Sequence, residues 1–172
     1  MSEDGRCGNE IRARIAMAKD AFTKRRELFV RKMSRGLKKR IIKTVVWSVL
    51  LYSAETWTLR KEDVRRLNAC EMWIWRRMEK VSWKDKVSNE EVLVRIGEKR
   101  KLIDTITERK KRWIGHVLRG EGLLKEVIEG KMEGKRPRGR PRIGMLDELK
   151  KGSYVDMKRR AEDRQMWRCW LP

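Results

Sequence analysis

Apolar residues recur at helical spacing along most of the chain, and this periodicity constrains the fold more strongly than any other feature of the sequence. The first row runs from Ile11 to Met33, with lysine and arginine residues between its members. Residues three and four positions apart lie on one face of a helix, so the row predicts a long amphipathic helix with a basic outer face, which ends at Gly36. The chain is expected to be all-α, with a small bundle of about five amphipathic helices.

The segment from Leu37 to Leu51 carries apolar side chains over too wide a face for a surface helix. It is therefore expected to be the central and most buried helix. Its β-branched residues would also suit a strand, but a helix is favoured because the apolar block is longer than a usual strand. The wide apolar face permits self-association as well as an intramolecular core.

Three further amphipathic segments complete the expected bundle. Residues 62–81 have apolar side chains at heptad-like spacing, which predicts a third helix. Ser88 and Glu91 form a capping-box pattern, and this predicts a short helix that begins after Ser88 and ends at Gly97. Residues 99–119 predict another basic amphipathic helix.

The character of the sequence changes after Gly122. Residues 123–128 suit either a last helical turn or a strand, and the glycines and prolines that follow break any regular element. Two short helices are expected at 145–151 and 155–170, and the terminal tryptophan cluster of the second is expected to anchor the tail.

The expected organisation therefore has three parts. They are a helical domain at 1–121, a basic extended Pro/Gly-containing linker at 122–144, and one or two short C-terminal helices at 145–172.

The octapeptide at 135–142 reads Lys-Arg-Pro-Arg-Gly-Arg-Pro-Arg. Its prolines keep the backbone extended, and its charge prevents burial in a core. The Pro-Arg-Gly-Arg-Pro portion matches the AT-hook type of minor-groove binder, in which arginines enter the narrow groove of A·T-rich DNA. The alternatives are a basic linker, a nuclear import signal, or sequence-independent contact with phosphates or RNA.

The net charge of the chain indicates the class of its partner. Lysine and arginine number 46 against 25 aspartates and glutamates, which gives a formal charge of +21. Nucleic acid is the polyanion most suited to neutralise such an excess.

The longest apolar run, at 41–52, contains Lys43 and is too short to span a bilayer, so no membrane partner is expected. The amino terminus lacks the apolar core of a secretory signal, so the chain is expected to stay in a reducing compartment with free cysteine thiols. The expected location is intracellular and nuclear.

Eight tryptophans are many for a chain of this length. Aromatic residues at helical spacing usually face a core, so most of these side chains are expected to be core or anchor residues. Trp73 and Trp75, which lie among arginines, have the alternative role of stacking on unpaired bases.

Residues suited to catalysis are scarce. The sequence has no adjacent Asp-Asp pair of the kind that holds two divalent ions. Cys7, Cys70, Cys169 and His116 lack the spacing of a zinc site. There is no glycine-rich phosphate loop and no nucleophile elbow. The chain is therefore expected to have no enzymatic activity, no cofactor, no metal and no small-molecule substrate.

Short motifs follow one another in a characteristic order along nearly the whole chain. They are Asp4-Gly5 and the segments 10–19, 46–52, 55–57, 71–73, 76–78, 83–85, 87–93, 115–119, 128–131, 134–142, 161–164 and 167–168. In this order the chain resembles the region that follows the polymerase palm in the reverse transcriptases of non-LTR (LINE-type) retrotransposons, which are RNA-directed DNA polymerases.

This resemblance implies a thumb-like helical domain and a basic tail that, in an intact element, would grip template and primer beside the palm. The catalytic motif of that family, an aromatic residue one position before Asp-Asp, and its endonuclease domain lie upstream of the matched region. The first hypothesis is therefore a non-catalytic C-terminal fragment that binds RNA or DNA by phosphate contacts. The second is a recruited chromatin or DNA-binding protein that uses the AT-hook-like run. The third is a translated relic whose helices expose the faces that once packed on a palm.

The first hypothesis names two groups of candidate phosphate contacts. Those in the basic run are Lys135, Arg136, Arg138, Gly139, Arg140 and Arg142. Those on helices are Lys38, Lys39, Arg40, Arg109, Lys110, Lys111 and Arg112.

Overall fold

Residues 7–30, 32–130, 138–139, 143–150 and 152–170 are described by the structure, a computed structural model. Within these ranges the backbone forms helices and their connections, with no β-strand. The predicted all-α fold is confirmed. The α-helices of the described part are α1 (Gly8–Lys24), α2 (Arg26–Val30), α3 (Arg35–Ile41), α4 (Trp47–Leu50), α5 (Lys61–Met78), α6 (Asn89–Ile96), α7 (Leu102–Arg119), α8 (Leu123–Glu129), α9 (Tyr154–Glu162) and α10 (Arg164–Cys169).

The chain divides into two compact units, Met1–Ile106 and Thr107–Pro172. Helix α7 begins in the first unit and continues into the second. The division thus falls inside a helix, whereas the helical domain expected from the sequence ends at residue 121. Within the expected basic linker at 122–144, residues 131–137 and 140–142 lie outside the described residues, and residues 123–129 are helical rather than extended.

The core of the first unit is built around the segment from α3 to α4. A π-helical turn at Ile42–Val46 joins the two helices. Ile42, Val46 and Leu50 are fully buried, and they belong to one apolar cluster with Ile11 of α1 and Trp75 of α5. The prediction that 37–51 is helical rather than a strand is therefore confirmed, and the expected burial begins at Ile42, since Leu37 is exposed and α3 has no buried residue.

The tryptophans of the first unit are mainly core residues, as predicted. Trp47, Trp57 and Trp75 are buried. Trp73 is half-buried, and its ring meets that of Phe22 edge-on, with 5.6 Å between the centroids. Two cations lie over the Trp73 ring, the Arg77 guanidinium at 4.4 Å and the Lys19 ammonium at 5.3 Å from its centroid.

Helix α6 begins and ends where its sequence predicts. The Ser88 side chain accepts a hydrogen bond from the Glu91 amide at 3.1 Å, and the Glu91 carboxylate accepts one from the Ser88 amide at 2.9 Å. At the other end Gly97 adopts the left-handed conformation, with φ of 66°. This conformation satisfies the last helical carbonyls, and glycine adopts it without the Cβ clash of other residues.

The prediction of one continuous helix over 11–33 is wrong. It is interrupted at Arg25, after which α2 begins. The rings of Phe22 and Phe29 stack with 4.6 Å between their centroids, although residues seven apart in a straight helix are separated by about 10 Å along its axis. Burying both rings together therefore requires the interruption. Gly36 does not end this helix but lies inside α3.

The second unit has its own apolar core around one tryptophan of α10. Trp167 packs with Ile114 and Leu118 of α7 and with Met157 of α9. The ring approaches the α7 backbone so closely that a Cβ added to Gly115 would lie 2.2 Å from the Trp167 Nε1 atom. The predicted anchoring of the C-terminal tail by tryptophan is confirmed.

Three predictions for this part of the chain have clear outcomes. Residues 123–129 form a helix, α8, which decides between the helical and strand alternatives. The helix predicted at 145–151 is wrong, because residues 145–149 form turns. The helix predicted at 155–170 is divided at Asp163, whose carboxylate accepts hydrogen bonds from the Gln165 and Met166 amides at 2.7 and 3.1 Å and so starts α10.

Candidate nucleic-acid interface

A pocket of about 680 Å³ in the second unit is lined largely by cationic side chains. Its charged lining residues are four arginines, one lysine and one glutamate. We call it the arginine pocket, and its lining residues are Glu108, Lys111, Arg112, Arg119, Arg164, Trp167 and Arg168.

Two helices supply these side chains. Helix α7 contributes Glu108, Lys111, Arg112 and Arg119, and α10 contributes the other three. Positions three, four, seven and eight apart share one face of a helix, so each group projects from a single face. The spacing of the charged residues along α7 and α10 therefore places the charged side chains of each helix on one face, at the pocket.

The inner wall of the pocket is fixed by hydrogen bonds between the same helices. The Trp167 indole N–H donates to the Lys111 carbonyl at 3.0 Å. The buried Lys111 ammonium donates to the carbonyls of Arg168 and Trp170, the former at 3.3 Å. Burial lowers the pKa of Lys111. This lysine therefore holds the C-terminal end of α10 and forms part of the scaffold of the pocket.

Arg119 lies deeper than the other arginines of the pocket. One of its terminal nitrogens donates to the Ala161 carbonyl at 2.7 Å, which leaves further N–H donors on the same guanidinium. Burial, and next the neighbouring charge of Arg164, lower the pKa of Arg119. An arginine nevertheless stays protonated in proteins, so the pocket holds a charge that an anion would stabilise.

The remaining arginines of the pocket are exposed. Arg112 forms an ion pair with Glu108 at 3.4 Å, and both side chains are largely in solvent. Within the described ranges no carboxylate lies in ion-pair distance of Arg164 or Arg168. Exposed ion pairs contribute little, so an anion with more than one charge can compete for Arg112 as well.

The structure separates the candidates predicted at 109–112. Lys110 is fully buried and forms an ion pair with Glu148. Arg109 is half-buried, and Arg112 alone of the four is exposed. Consecutive residues point in directions about 100° apart around a helix. Lys110 and Lys111 therefore face the interior of the second unit, and their predicted role as surface phosphate contacts does not fit this conformation.

The candidates at 38–40 also differ from one another. Arg40 is exposed, and Lys38 lines a smaller pocket of about 280 Å³ in the first unit, together with Arg35 and Lys80. Lys39 donates to the Ile96 carbonyl at 3.1 Å.

Lys39 also takes part in an ion-pair cluster around Glu98. The Glu98 carboxylate lies 3.2 Å from the Lys39 ammonium and 2.9 Å from that of Lys43. Burial acts to raise the pKa of Glu98, but the hydrogen bonds and charges of the two lysines outweigh it and lower that pKa. Lys39 therefore already has an anionic partner in the fold.

The candidates of the basic run are only partly described. Arg138 and Gly139 are exposed, and Gly139 has a φ of 114°. Lys135, Arg136, Arg140 and Arg142 lie outside the described residues.

The contacts predicted from the sequence do not include Arg119, Arg164 or Arg168. The available signal was the placement of two arginines, four residues apart, on either side of the anchoring tryptophan Trp167. That spacing puts both guanidinium groups beside the tryptophan on one helical face, but only the tertiary packing shows that Arg119 lies opposite.

Comparison with protein-family models, with curated proteins and with solved structures gives no match to this chain. Among the described helices none is long and apolar enough to cross a membrane. In the same part of the chain no three His, Cys, Asp or Glu side chains are grouped as metal ligands.

Proposed function

We propose that this chain binds RNA or DNA through phosphate contacts and that the arginine pocket is its main anchor. The observation that carries the proposal is the convergence of four guanidinium groups on one pocket that contains one carboxylate. A guanidinium binds two phosphate oxygens at once, which gives stronger and more directional contacts than an ammonium. The net charge of +21 supplies long-range attraction to the same ligand.

The parent protein that we propose is a non-LTR retrotransposon reverse transcriptase, of which this chain resembles the region after the palm. The ordered motifs from Asp4 to Arg168 support this origin. Binding of template or primer by phosphates needs no reactive group, so the proposal assigns no catalytic step to the chain. The proposed function is therefore that of a binding module that acts beside a polymerase.

The proposed contacts are those exposed arginines that the fold leaves accessible. Arg112, Arg164 and Arg168 provide them in the arginine pocket, and Arg40 provides one in the first unit. Lys110 is not included, because this lysine is buried and a phosphate would have to displace its Glu148 partner.

Binding across a range of salt concentrations tests the proposal. A labelled single-stranded RNA and a labelled DNA duplex are titrated with the protein at about 50 to 300 mM salt, with fluorescence anisotropy as the readout. We expect the logarithm of affinity to fall steeply with the logarithm of salt. The variant Arg164→Gln/Arg168→Gln should lower the slope by about 1.4 to 1.8 if each arginine contacts one phosphate.

A matched control removes the same charge elsewhere. Arg65 on α5 and Arg95 on α6 are exposed in the first unit, and Arg65→Gln/Arg95→Gln should change the slope less than the pocket variant does. A flat salt dependence contradicts phosphate binding. Equal effects of the two double variants leave binding in place but contradict the pocket as its anchor.

The same titration tests the AT-hook alternative. Minor-groove insertion favours A·T-rich DNA, because its groove is narrow and strongly negative. If an A·T-rich duplex competes much better than a G·C-rich duplex or structured RNA, the Pro-Arg-Gly-Arg-Pro run carries the binding. Phosphate contacts predict similar competition by all three.

A further inference from the structure

We infer that the arginine pocket is a receptor for a terminal phosphate monoester at the end of a nucleic-acid strand. This inference rests on the proposed function and adds to it the chemical class of the bound group. It concerns only side chains of the second unit, within α7 and α10.

The shape of the site favours the end of a strand over its interior. At about 680 Å³ the pocket has the size of a small-molecule site. An internal phosphodiester is tethered on both sides and is best contacted from an open groove or a flat surface. A terminal phosphate has one tether, so it can enter a concave site with its free oxygens first.

The charge of the site favours a dianion. A terminal monoester carries a charge of about −1.5 to −2 at pH 7 and three strong acceptor oxygens, whereas a diester carries one charge and two free oxygens. Arg119, Arg164 and Arg168 together present more donors than a diester can accept. The one carboxylate that lines the pocket, that of Glu108, is already paired with Arg112.

The aromatic wall of the site does not favour recognition of a base. Trp167 has only 3% of its surface exposed, and its indole N–H is occupied by the Lys111 carbonyl. It therefore offers neither a stacking face nor a free donor to a base. Recognition in this pocket is expected to depend on the phosphate and not on the sequence of the strand.

The test uses single-stranded oligonucleotides of one sequence with different ends. Strands carrying a 5′-phosphate, a 3′-phosphate or hydroxyl groups at both ends are titrated with the full chain at about 150 mM salt. At least one phosphorylated strand should bind roughly tenfold or more tightly than the hydroxyl strand. A nucleoside monophosphate and inorganic phosphate serve as competitors, and they show whether the strand itself is needed.

Two variants and a pH series connect the preference to the pocket. Arg164→Gln and Arg168→Gln should each abolish the difference in affinity between phosphorylated and hydroxyl strands. Arg65→Gln, in the first unit, should retain that difference. The preference should also decline below about pH 6, where the monoester becomes a monoanion. Circular dichroism checks that each variant is folded. We expect both to fold, because Arg164 and Arg168 are exposed and are not part of the core.

The possible outcomes separate this inference from the proposed function. If no oligonucleotide binds at low salt, both fail. If all strands bind with equal affinity, or if the preference survives the pocket variants, only the inference on the strand end is overturned. If free phosphate competes as well as a phosphorylated strand, the pocket binds the phosphate group alone and the strand requirement is overturned.

Discussion

Replacing Gly115 by alanine should destabilise the second unit, although alanine normally stabilises the interior of a helix. Gly115 lies within α7, where glycine is less favourable than alanine by about 1 kcal/mol. The added Cβ, however, would lie 2.2 Å from Nε1, 2.7 Å from Cδ1 and 2.8 Å from Cε2 of Trp167. Carbon atoms in contact are normally about 3.5 to 4.0 Å apart, so the ring has to move by about 1 Å or more.

The cost of this movement exceeds the gain in helix propensity. Overpacking of a filled core usually costs about 1–3 kcal/mol. A displaced ring also loses the 3.0 Å hydrogen bond from its indole N–H to the Lys111 carbonyl. Leaving that buried N–H without an acceptor costs a further 1–3 kcal/mol or so. We therefore expect Gly115→Ala to lower the free energy of unfolding of this unit by about 1–5 kcal/mol.

Urea unfolding followed by circular dichroism measures this loss, and hydrogen exchange of α7 and α10 assigns it to the second unit. Gly36→Ala is the matched control, since Gly36 lies in α3 and an added Cβ there meets no atom within 4 Å. The control should stabilise the protein by about 0.5–1 kcal/mol. Trp167→Leu should cost less in the Gly115→Ala background than in the parent, because the two changes share one contact. If Gly115→Ala stabilises the protein as Gly36→Ala does, the close packing of Trp167 on α7 is refuted.

Three further properties follow from buried groups. Lys110→Met should destabilise the protein by about 1–3 kcal/mol, measured by urea unfolding, because it leaves the partly buried Glu148 carboxylate without its ammonium partner. Burial raises the pKa of the Glu71 carboxyl, so the folded state retains a proton that the unfolded chain releases. Stability should therefore fall as the pH rises from the ordinary carboxyl range through that raised pKa, and urea midpoints of Glu71→Gln should show a flatter profile. Burial raises the pKa of the Cys70 thiol to about 11, so a thiol reagent at pH 8 should modify the exposed Cys169 quickly and Cys70 only on unfolding.

Local chemistry allowed part of this fold to be predicted from the sequence. The capping box at Ser88 and the left-handed Gly97 were predictable, because both ends of α6 are determined by residues within four positions. The break at Arg25 was not, since it results from the stacking of Phe22 on Phe29 and not from a glycine or proline. Sequence periodicity identifies which residues are buried but not where a helix must bend to bury them together.

The candidate site was less predictable than the fold for the same reason. Arg109, Lys110, Lys111 and Arg112 look equivalent in the sequence, yet packing places Lys110 inside the unit and Arg112 at the pocket. A basic run therefore does not act as one surface when it lies on a helix with two packed neighbours. Charge composition predicts the class of ligand, whereas the contacts depend on helix rotation, which tertiary packing determines.

The packing of Trp167 on Gly115 links the stability of the second unit to its proposed function. The indole fixes the position of α10 against α7. Because Arg164 and Arg168 lie on α10, the same contact also determines their positions in the pocket. A change that moves the ring should therefore disturb the pocket even when the unit remains folded. On this reasoning Gly115→Ala, which removes no charge, should weaken the preference for a phosphorylated strand end more than Arg65→Gln does, although Arg65→Gln removes a full positive charge.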